Sequence, residues 1–491
     1  MARSGQTKAI AALLYSGQLQ EATAACEAVL KQHPNDDEVL ALHGQSLAQQ
    51  RQQDAAMVSL MKAARIEPKR PEYVTLLGEL HMNCGRFRDA LTQFDKALKI
   101  RSDYDPAVAG KTNTYLRMGQ PKKARRTIDK RLAIGPASAP IAVVHARVLT
   151  KLKENDAAVQ TLDPWLGSDE LPVENRRSLW FALGDAHEKA QRYQDAHAAY
   201  EHANGLAGAR WDRSQDEAFH ASIESICTRE ALDAAASSDV DGSRHVFIVG
   251  MPRCGSTLTE QIIHSHGNAH GVGESERLPE LISTMAQRDG IDAAWPTCVP
   301  TAEATALTAI ANEYMEHVGV HAGGATRIID KQLGNYLFTG WIPNLLPGAR
   351  IIHCQRHPMD MCLSSWTKQF PPGTNGWADT LTGAGQLYRL YEQLMDHWRT
   401  TCGDQLLEIH YEDLVADLEG TARRVLAFCE LDWDPACLRF WENKRTALTL
   451  SNDQVRQPVY QSAKGRHVAW GDLLEPLRTA LGDSVERYES R

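Results

Sequence analysis

Long apolar runs, paired cysteines and an excess of positive charge are all missing from this chain. No stretch approaches the ~20 apolar residues that span a bilayer. The N-terminal MARSGQTKAIAALLYSGQ holds an apolar run of only seven residues and no convincing cleavage site, so it reads as the first helix of a folded domain. Ten cysteines are scattered without a C-x-x-C pair, which suits reduced thiols in a cytoplasm better than a disulfide framework. The net charge of −9 argues against a general nucleic-acid binder, which needs a basic field to neutralise phosphates. What remains is a globular composition, 43% hydrophobic and 23% charged, over 491 residues. That length is too great for one ordinary core, and two or more domains are expected.

The N-terminal part repeats. Ala22, Ala56, Ala90, Ala124 and Ala158 stand 34 residues apart, and Ala196 follows after 38. Four residues after each alanine comes Cys26, Leu60, Phe94, Ile128, Leu162 and Tyr200. Pro34, Pro68, Ser102 and Pro136 keep the same step, where proline ends a helix because it cannot continue one. Gly44 and Gly78 share another position, and Gly184 fits it after the insertion. Small residues at this period let paired helices approach. The pattern resembles the tetratricopeptide repeat, which implies about six helical hairpins stacked into a solenoid with a concave face. Such an array either buttresses its neighbour, self-associates, or binds a peptide or protein in its groove.

After a helical stretch and a polar linker over 207–243, which ends in AAASSDVDGS, the pattern changes. Apolar runs at 246–250, 326–330, 350–354 and 405–409 read as strands, and 256–266, 302–318, 381–402 and 414–430 read as helices. Strands alternating with helices imply a parallel sheet, with ligands at the carboxyl ends of its strands. The domains expected are therefore a repeat solenoid over 1–206, the linker, and an α/β domain over 244–491.

The stretch VFIVGMPRCGSTLTE carries a strand through a glycine-bracketed turn into a helix N-terminus. Backbone N–H groups and the helix dipole favour an anion there. Gly250 and Gly255 have the spacing of a phosphate loop, yet Ser256 stands where a nucleoside triphosphatase carries lysine. Arg253 inside the loop offers a forked cation, and Ser256 and Thr257 add hydroxyl donors. A second segment, RIIHCQRHPMDMCLSSWTKQ, places Arg356 at a strand end and Ser364 two turns into the following helix, a pair suited to a second phosphate some distance from the first. His353, Cys354 and His357 are of ligand type. The intervening Arg356 and the lack of a second ligand pair at metal spacing argue against zinc.

Together these segments resemble the sulfotransferase superfamily, and within it the tyrosylprotein sulfotransferases and their repeat-bearing bacterial relatives. PRCGSTL, GESERLP, DK, RHPMDMCLSS, YEDLV and SNDQVRQPVY…GR occur in that order over about 244–470. The resemblance implies 3′-phosphoadenosine 5′-phosphosulfate (PAPS) as sulfuryl donor and 3′-phosphoadenosine 5′-phosphate (PAP) as product, with no metal. It assigns Arg253, Cys254, Gly255, Ser256, Thr257 and Leu258 to the 5′-phosphosulfate, and Arg356 and Ser364 to the 3′-phosphate. Tyr411 lies beside the nucleotide and Arg466 at a phosphate edge. Glu274 is the implied base, and Lys331 and Ser451 surround the transferred group. By composition alone Glu274, in the charged run GESERLPE, is a solvated carboxylate, and Lys331 a surface lysine. The chain departs from the family pattern at Cys254, where serine is usual, and at Lys368, where arginine is common in the tyrosine-specific enzymes. The reading expected is a cytoplasmic PAPS-dependent sulfotransferase acting on a hydroxyl, with a tyrosine of a peptide or protein favoured. The alternatives are a saccharide or metabolite acceptor, a non-catalytic repeat scaffold, and a P-loop kinase.

Overall fold

A computed structural model of the chain describes residues 2–50, 52–208, 211–320, 322–371, 373–443 and 464–491. The chain divides into two compact units, Met1–Arg192 and Tyr193–Arg491. Among the described residues no helix is long and apolar enough to cross a membrane.

The first unit is a solenoid of helical hairpins. Ala2–Tyr15 pairs with Leu19–Gln32, Asp37–Gln49 with Gln53–Ile66, Pro71–Asn83 with Phe87–Ile100, Asp105–Arg117 with Pro121–Leu132, and Ala139–Lys151 with Asn155–Leu162. The unit then takes in the helix Val173–Lys189, while Tyr193–Gly205, which carries Ala196, falls in the second unit. The periodic alanines are where the physics requires them: Ala22, Ala56, Ala90, Ala124 and Ala158 are fully buried, as are Cys26, Phe94, Ile128 and Leu162. The glycines explain their partners. A Cβ on Gly44 meets Leu60 Cγ at 2.6 Å, and one on Gly78 meets Phe94 Cε1 at 2.6 Å. In these two hairpins the first helix thus lies directly on the side chain four residues past the alanine of the second.

Phe94 is gripped from both sides, since a Cβ on Gly110 in the next hairpin meets its ring at 2.4 Å. Gly110→Ala is therefore expected to overpack this seam and destabilise the repeat unit by about 1–3 kcal/mol. Urea unfolding followed by circular dichroism measures the shift, and an unchanged midpoint contradicts this account of the seam.

In the second unit five strands form one all-parallel sheet among the described residues: β1 His245–Val249, β2 Ala269–Gly273, β3 Arg327–Asp330, β4 Arg350–Gln355 and β5 Leu406–His410, in the order β2-β3-β1-β4-β5. β1 is buried throughout, as a central strand covered on both faces must be. β2, with the sequence AHGVG, has no apolar run and was not among the expected strands. It is an edge strand, held by β3 alone and broken in register between Gly271 and Gly273. The helix Tyr193–Gly205 belongs to this unit through Asn204, whose Nδ2 donates to the Trp366 carbonyl at 3.0 Å, and through Tyr200, which meets the Trp366 ring edge-on at 5.6 Å.

Burial lowers the His245 imidazole at the start of β1 from 6.5 to about 4. A base depressed in the folded state stabilises the fold above its unfolded pKa and loses that contribution as pH falls. Between pH 6.5 and about 4, protonation of the unfolded chain should remove about 3 kcal/mol. Thermal melts of wild type and His245→Asn across this range should diverge, with the wild type falling more steeply. Parallel curves contradict the assignment.

Candidate active site

β1 is the switch point of the sheet, flanked by β3 and β4, and the crevice at its carboxyl end is where a ligand sits in an open parallel sheet. The chain leaves β1 through a turn that only special backbone angles close: Gly250 has φ 149°, Arg253 φ 73° and Gly255 φ 99°. Side chains are excluded from both glycines. A Cβ on Gly250 meets the Cys354 carbonyl oxygen at 2.7 Å and Cys254 Sγ at 2.9 Å, and one on Gly255 meets Tyr411 Cδ2 at 2.7 Å. Gly255 is the N-cap of the helix Ser256–His264, whose first residues Ser256, Thr257 and Leu258 are buried. Arg253 is a non-glycine residue held in the left-handed region, a local cost that turns its peptide and side chain toward the second segment.

That second segment begins where β4 ends. Arg356 is 6% exposed, and its guanidinium lies 5.0 Å from the centre of the Tyr411 ring. The sequence places the Arg356–Ser364 pair some distance from the glycine loop, but the two are joined. Arg253 Nε donates to Ser364 Oγ at 3.0 Å, and Arg356 Nη1 donates to the Arg253 carbonyl at 3.3 Å. One cationic cluster therefore spans the ends of β1 and β4.

Asp360, on the helix Pro358–Trp366, organises the far side of this cluster and was not singled out in the sequence. It is fully buried, 3.7 Å from Arg356 Nη2, and accepts from Gly465 N at 2.6 Å and from His467 N and Nδ1, each at 2.8 Å. Burial works against its charge, but His467 and Arg356 hold the carboxyl below its ordinary value. These bonds bracket Arg466, whose Nη2 donates to Thr367 Oγ1 at 3.1 Å. The available signal was the i, i+4 spacing from Arg356 on a helix that starts at Pro358.

The third part lies at the end of β3. Lys331 is fully buried, not a surface lysine, and its ammonium pairs with Glu274 Oε1. Glu274 is 24% exposed in its side chain, so the carboxylate faces the outer end of the pair. Lys331 N donates to the Gly273 carbonyl at 2.8 Å, and Glu260 Oε1 accepts from Gly273 N at 3.0 Å. Ser451 lies outside the described residues.

The Cys254 thiol points inward. Burial raises its pKa, yet hydrogen bonds from the Cys354 thiol and the Ser256 N–H, with the Lys331 charge, bring it below the ordinary value, while Cys354 is pushed up. His353 belongs to a different network, its ring 3.2 Å from Glu408 Oε1 and bonded to the Tyr391 hydroxyl. Among the described residues no group of three His, Cys, Asp or Glu is placed to hold a metal ion.

Comparison with known proteins gives this geometry a context. Residues 245–435 match the model of the sulfotransferase family, and residues 13–80 that of the tetratricopeptide repeat. The chain is 27% identical over 470 residues to an uncharacterized protein of Aquifex aeolicus, covering 93% of this chain and 61% of that protein. It is 24% identical over 275 residues to a protein-tyrosine sulfotransferase of Drosophila melanogaster, covering 48% of this chain and 51% of that one. It is 22% identical over 253 residues to protein-tyrosine sulfotransferase A of Caenorhabditis elegans, covering 50% and 65%. The chain thus spans between half and two thirds of the length of these relatives.

Proposed function

Because residues 245–435 form a sulfotransferase-family domain in a chain that also carries tetratricopeptide repeats, we propose that the protein transfers a sulfuryl group from PAPS to an acceptor hydroxyl. The observation that carries this reading is the joined cluster of Arg253, Ser364 and Arg356 at the ends of β1 and β4, with Lys331 and Glu274 beside it at the end of β3.

The cradle fits a doubly anionic donor. Gly250 and Gly255 leave room for backbone alone, and the helix N-terminus at Ser256 presents N–H groups toward an oxyanion. Arg253, Cys254, Gly255, Ser256, Thr257 and Leu258 would bind the 5′ side, and Arg356, Ser364 and Arg466 the phosphate on the 3′ side. Tyr411 packs against Gly255 of the loop and lies 5.0 Å from the Arg356 guanidinium, beside the position proposed for the nucleotide. PAPS supplies an activated sulfuryl group with PAP as leaving group. The acceptor oxygen forms a bond to sulfur as the sulfur–oxygen bond to PAP breaks. Glu274 takes the hydroxyl proton, and it acts as that proton becomes acidic late in the transfer, since a free glutamate is a far weaker base than a phenolate. The buried Lys331 ammonium meets the charge that develops on the departing oxygen, a role in which a preorganised cation acts with little reorganisation. Pairing with Glu274 holds both groups at one point before substrates arrive. Ser451 is proposed to stand near the transferred group.

Tyrosine in a peptide or protein is the favoured acceptor, supported by the relatives named for it. The repeats are proposed to hold that protein or a second copy of the chain. Ten free cysteines support a cytoplasmic setting. A saccharide or metabolite hydroxyl is the second reading, favoured by Lys368 in place of the arginine common in tyrosine-specific enzymes. Incubation with ³⁵S-labelled PAPS and separate pools of tyrosine peptides, oligosaccharides and phenolic metabolites tests the choice. Label on the peptides supports the first reading, label on another pool the second, and label on none with PAPS intact favours a non-catalytic scaffold.

A further inference from the structure

We propose that Asp330 is the positioning residue that clamps the Glu274 loop to the Lys331 loop and so sets the distance between the two groups. This rests on the functional reading above. The side chain lies at the end of β3, 1% exposed, immediately before Lys331. Its Oδ1 accepts from Gln332 N at 3.0 Å, the residue directly after Lys331. It also accepts a backbone hydrogen bond from Ser275, the residue directly after Glu274. Its Oδ2 accepts the Tyr314 hydroxyl at 2.8 Å.

Burial pushes the Asp330 carboxyl up to about 7 against these hydrogen bonds, so it is partly ionised near neutral pH, and as a carboxylate it offers about four lone-pair directions. Here three donors from three separate elements meet on one side chain. The two loops that carry Glu274 and Lys331 are tied to the same side chain, one residue beyond each functional group. The third donor anchors the clamp: Tyr314 is fully buried on the helix Ala304–Gly319 and stacks on Phe247 of β1, ring centres 5.8 Å apart. The bond from Lys331 N to the Gly273 carbonyl ties the loops one residue before Glu274 as well. β2 needs such a device because its register with β3 breaks just before Gly273. The donor cradle after β1 uses none of these bonds, so loss of the clamp should loosen the transfer groups and spare nucleotide binding.

The test compares Asp330→Ala and Asp330→Asn with wild type by three readouts. PAP affinity is measured by calorimetry. Turnover is measured as PAP-dependent release of p-nitrophenol from p-nitrophenyl sulfate, in which the PAP 5′-phosphate oxygen takes the sulfuryl group and p-nitrophenolate leaves. Loop order is measured by amide hydrogen exchange. Asp330→Ala should keep PAP affinity within about threefold while turnover falls about 100-fold, the scale of a misplacement near 1 Å. Peptides covering 270–280 and 329–336 should lose protection together, while those covering 246–258 should not. Asp330→Asn, which keeps an acceptor oxygen, should restore at least about tenfold of the lost turnover. Unchanged turnover and exchange in Asp330→Ala overturn the clamp, and so does a fall in PAP affinity that matches the fall in turnover. If Asp330→Ala does not fold, Asp330→Asn decides: reduced turnover at unchanged PAP affinity with faster exchange in both loops supports the clamp, and wild-type values overturn it. A wild-type chain that binds no PAP sinks the sulfotransfer reading alone, because the exchange pattern still decides the clamp.

Discussion

PAP affinity is expected to fall by at least about 100-fold in Arg356→Ala, with the fold intact, because a buried guanidinium makes charge-assisted bonds to phosphate of about 1.5–3 kcal/mol each. Arg356 is almost wholly buried, so bulk water does not replace it. Its removal leaves Asp360 with Gly465 N and both His467 donors, and takes one bond from the Arg253 carbonyl. The loss should therefore be far larger in binding than in stability, so PAP affinity is measured well below the thermal midpoint of each variant. Arg423→Ala is the control, since Arg423 is a half-exposed arginine paired with Glu419 on the surface. It should leave PAP affinity unchanged. A drop in affinity of similar size in both variants would mean that general charge, not this cluster, attracts the nucleotide.

Lys331→Met should cut turnover by about 10²–10³-fold, the range for removing one preorganised group from a developing charge. Methionine preserves much of the volume of a fully buried side chain, so packing is kept while the cation is lost. Glu274→Gln separates the two roles. In the p-nitrophenyl sulfate assay the departing phenolate is stable near neutral pH and needs no proton, so Glu274→Gln should stay within about tenfold of wild type. With an acceptor that must lose a proton, the same variant should fall by about 10²–10⁴-fold, the usual contribution of a positioned acid or base. Equal losses in both assays would make Glu274 a partner for Lys331 and nothing more. Because the two side chains form one pair, the double variant should cost less than the product of the singles.

Much of this architecture is visible in the residues. A spacing of 34 in Ala22, Ala56, Ala90, Ala124 and Ala158 is a direct record of helix crossings, because only small side chains fit there and each crossing recurs once per hairpin. β1, β3 and β4 announce themselves as apolar runs, since buried strands have little polar choice, and β5 is read from LLEI although it is an edge strand that is only half-buried. β2 does not: two glycines and a histidine in AHGVG carry no period, and its pairing with β3 is what makes it a strand. The glycine loop and the Arg356 segment are each legible by type. Their junction is not, because the reach of Arg253 to Ser364 depends on a left-handed residue and on β1 lying beside β4. Asp330 and Asp360 were hidden for a related reason. Asp360 accepts from Gly465 and His467, more than 100 residues on, and Asp330 joins a local donor, Gln332, to the distant Ser275 and Tyr314, and the sequence marks no acceptor as belonging to a distant donor. Lys331 likewise changes meaning with burial, from a charge that any surface carries to one fixed against Glu274.

The most direct test of the account is a calorimetric titration of the wild-type chain with PAP, beside ATP with magnesium. The account predicts saturable binding of PAP and little or no heat from ATP with magnesium, since Ser256 replaces the lysine that a nucleoside triphosphate requires. Preference for ATP, or no binding of PAP, would contradict it.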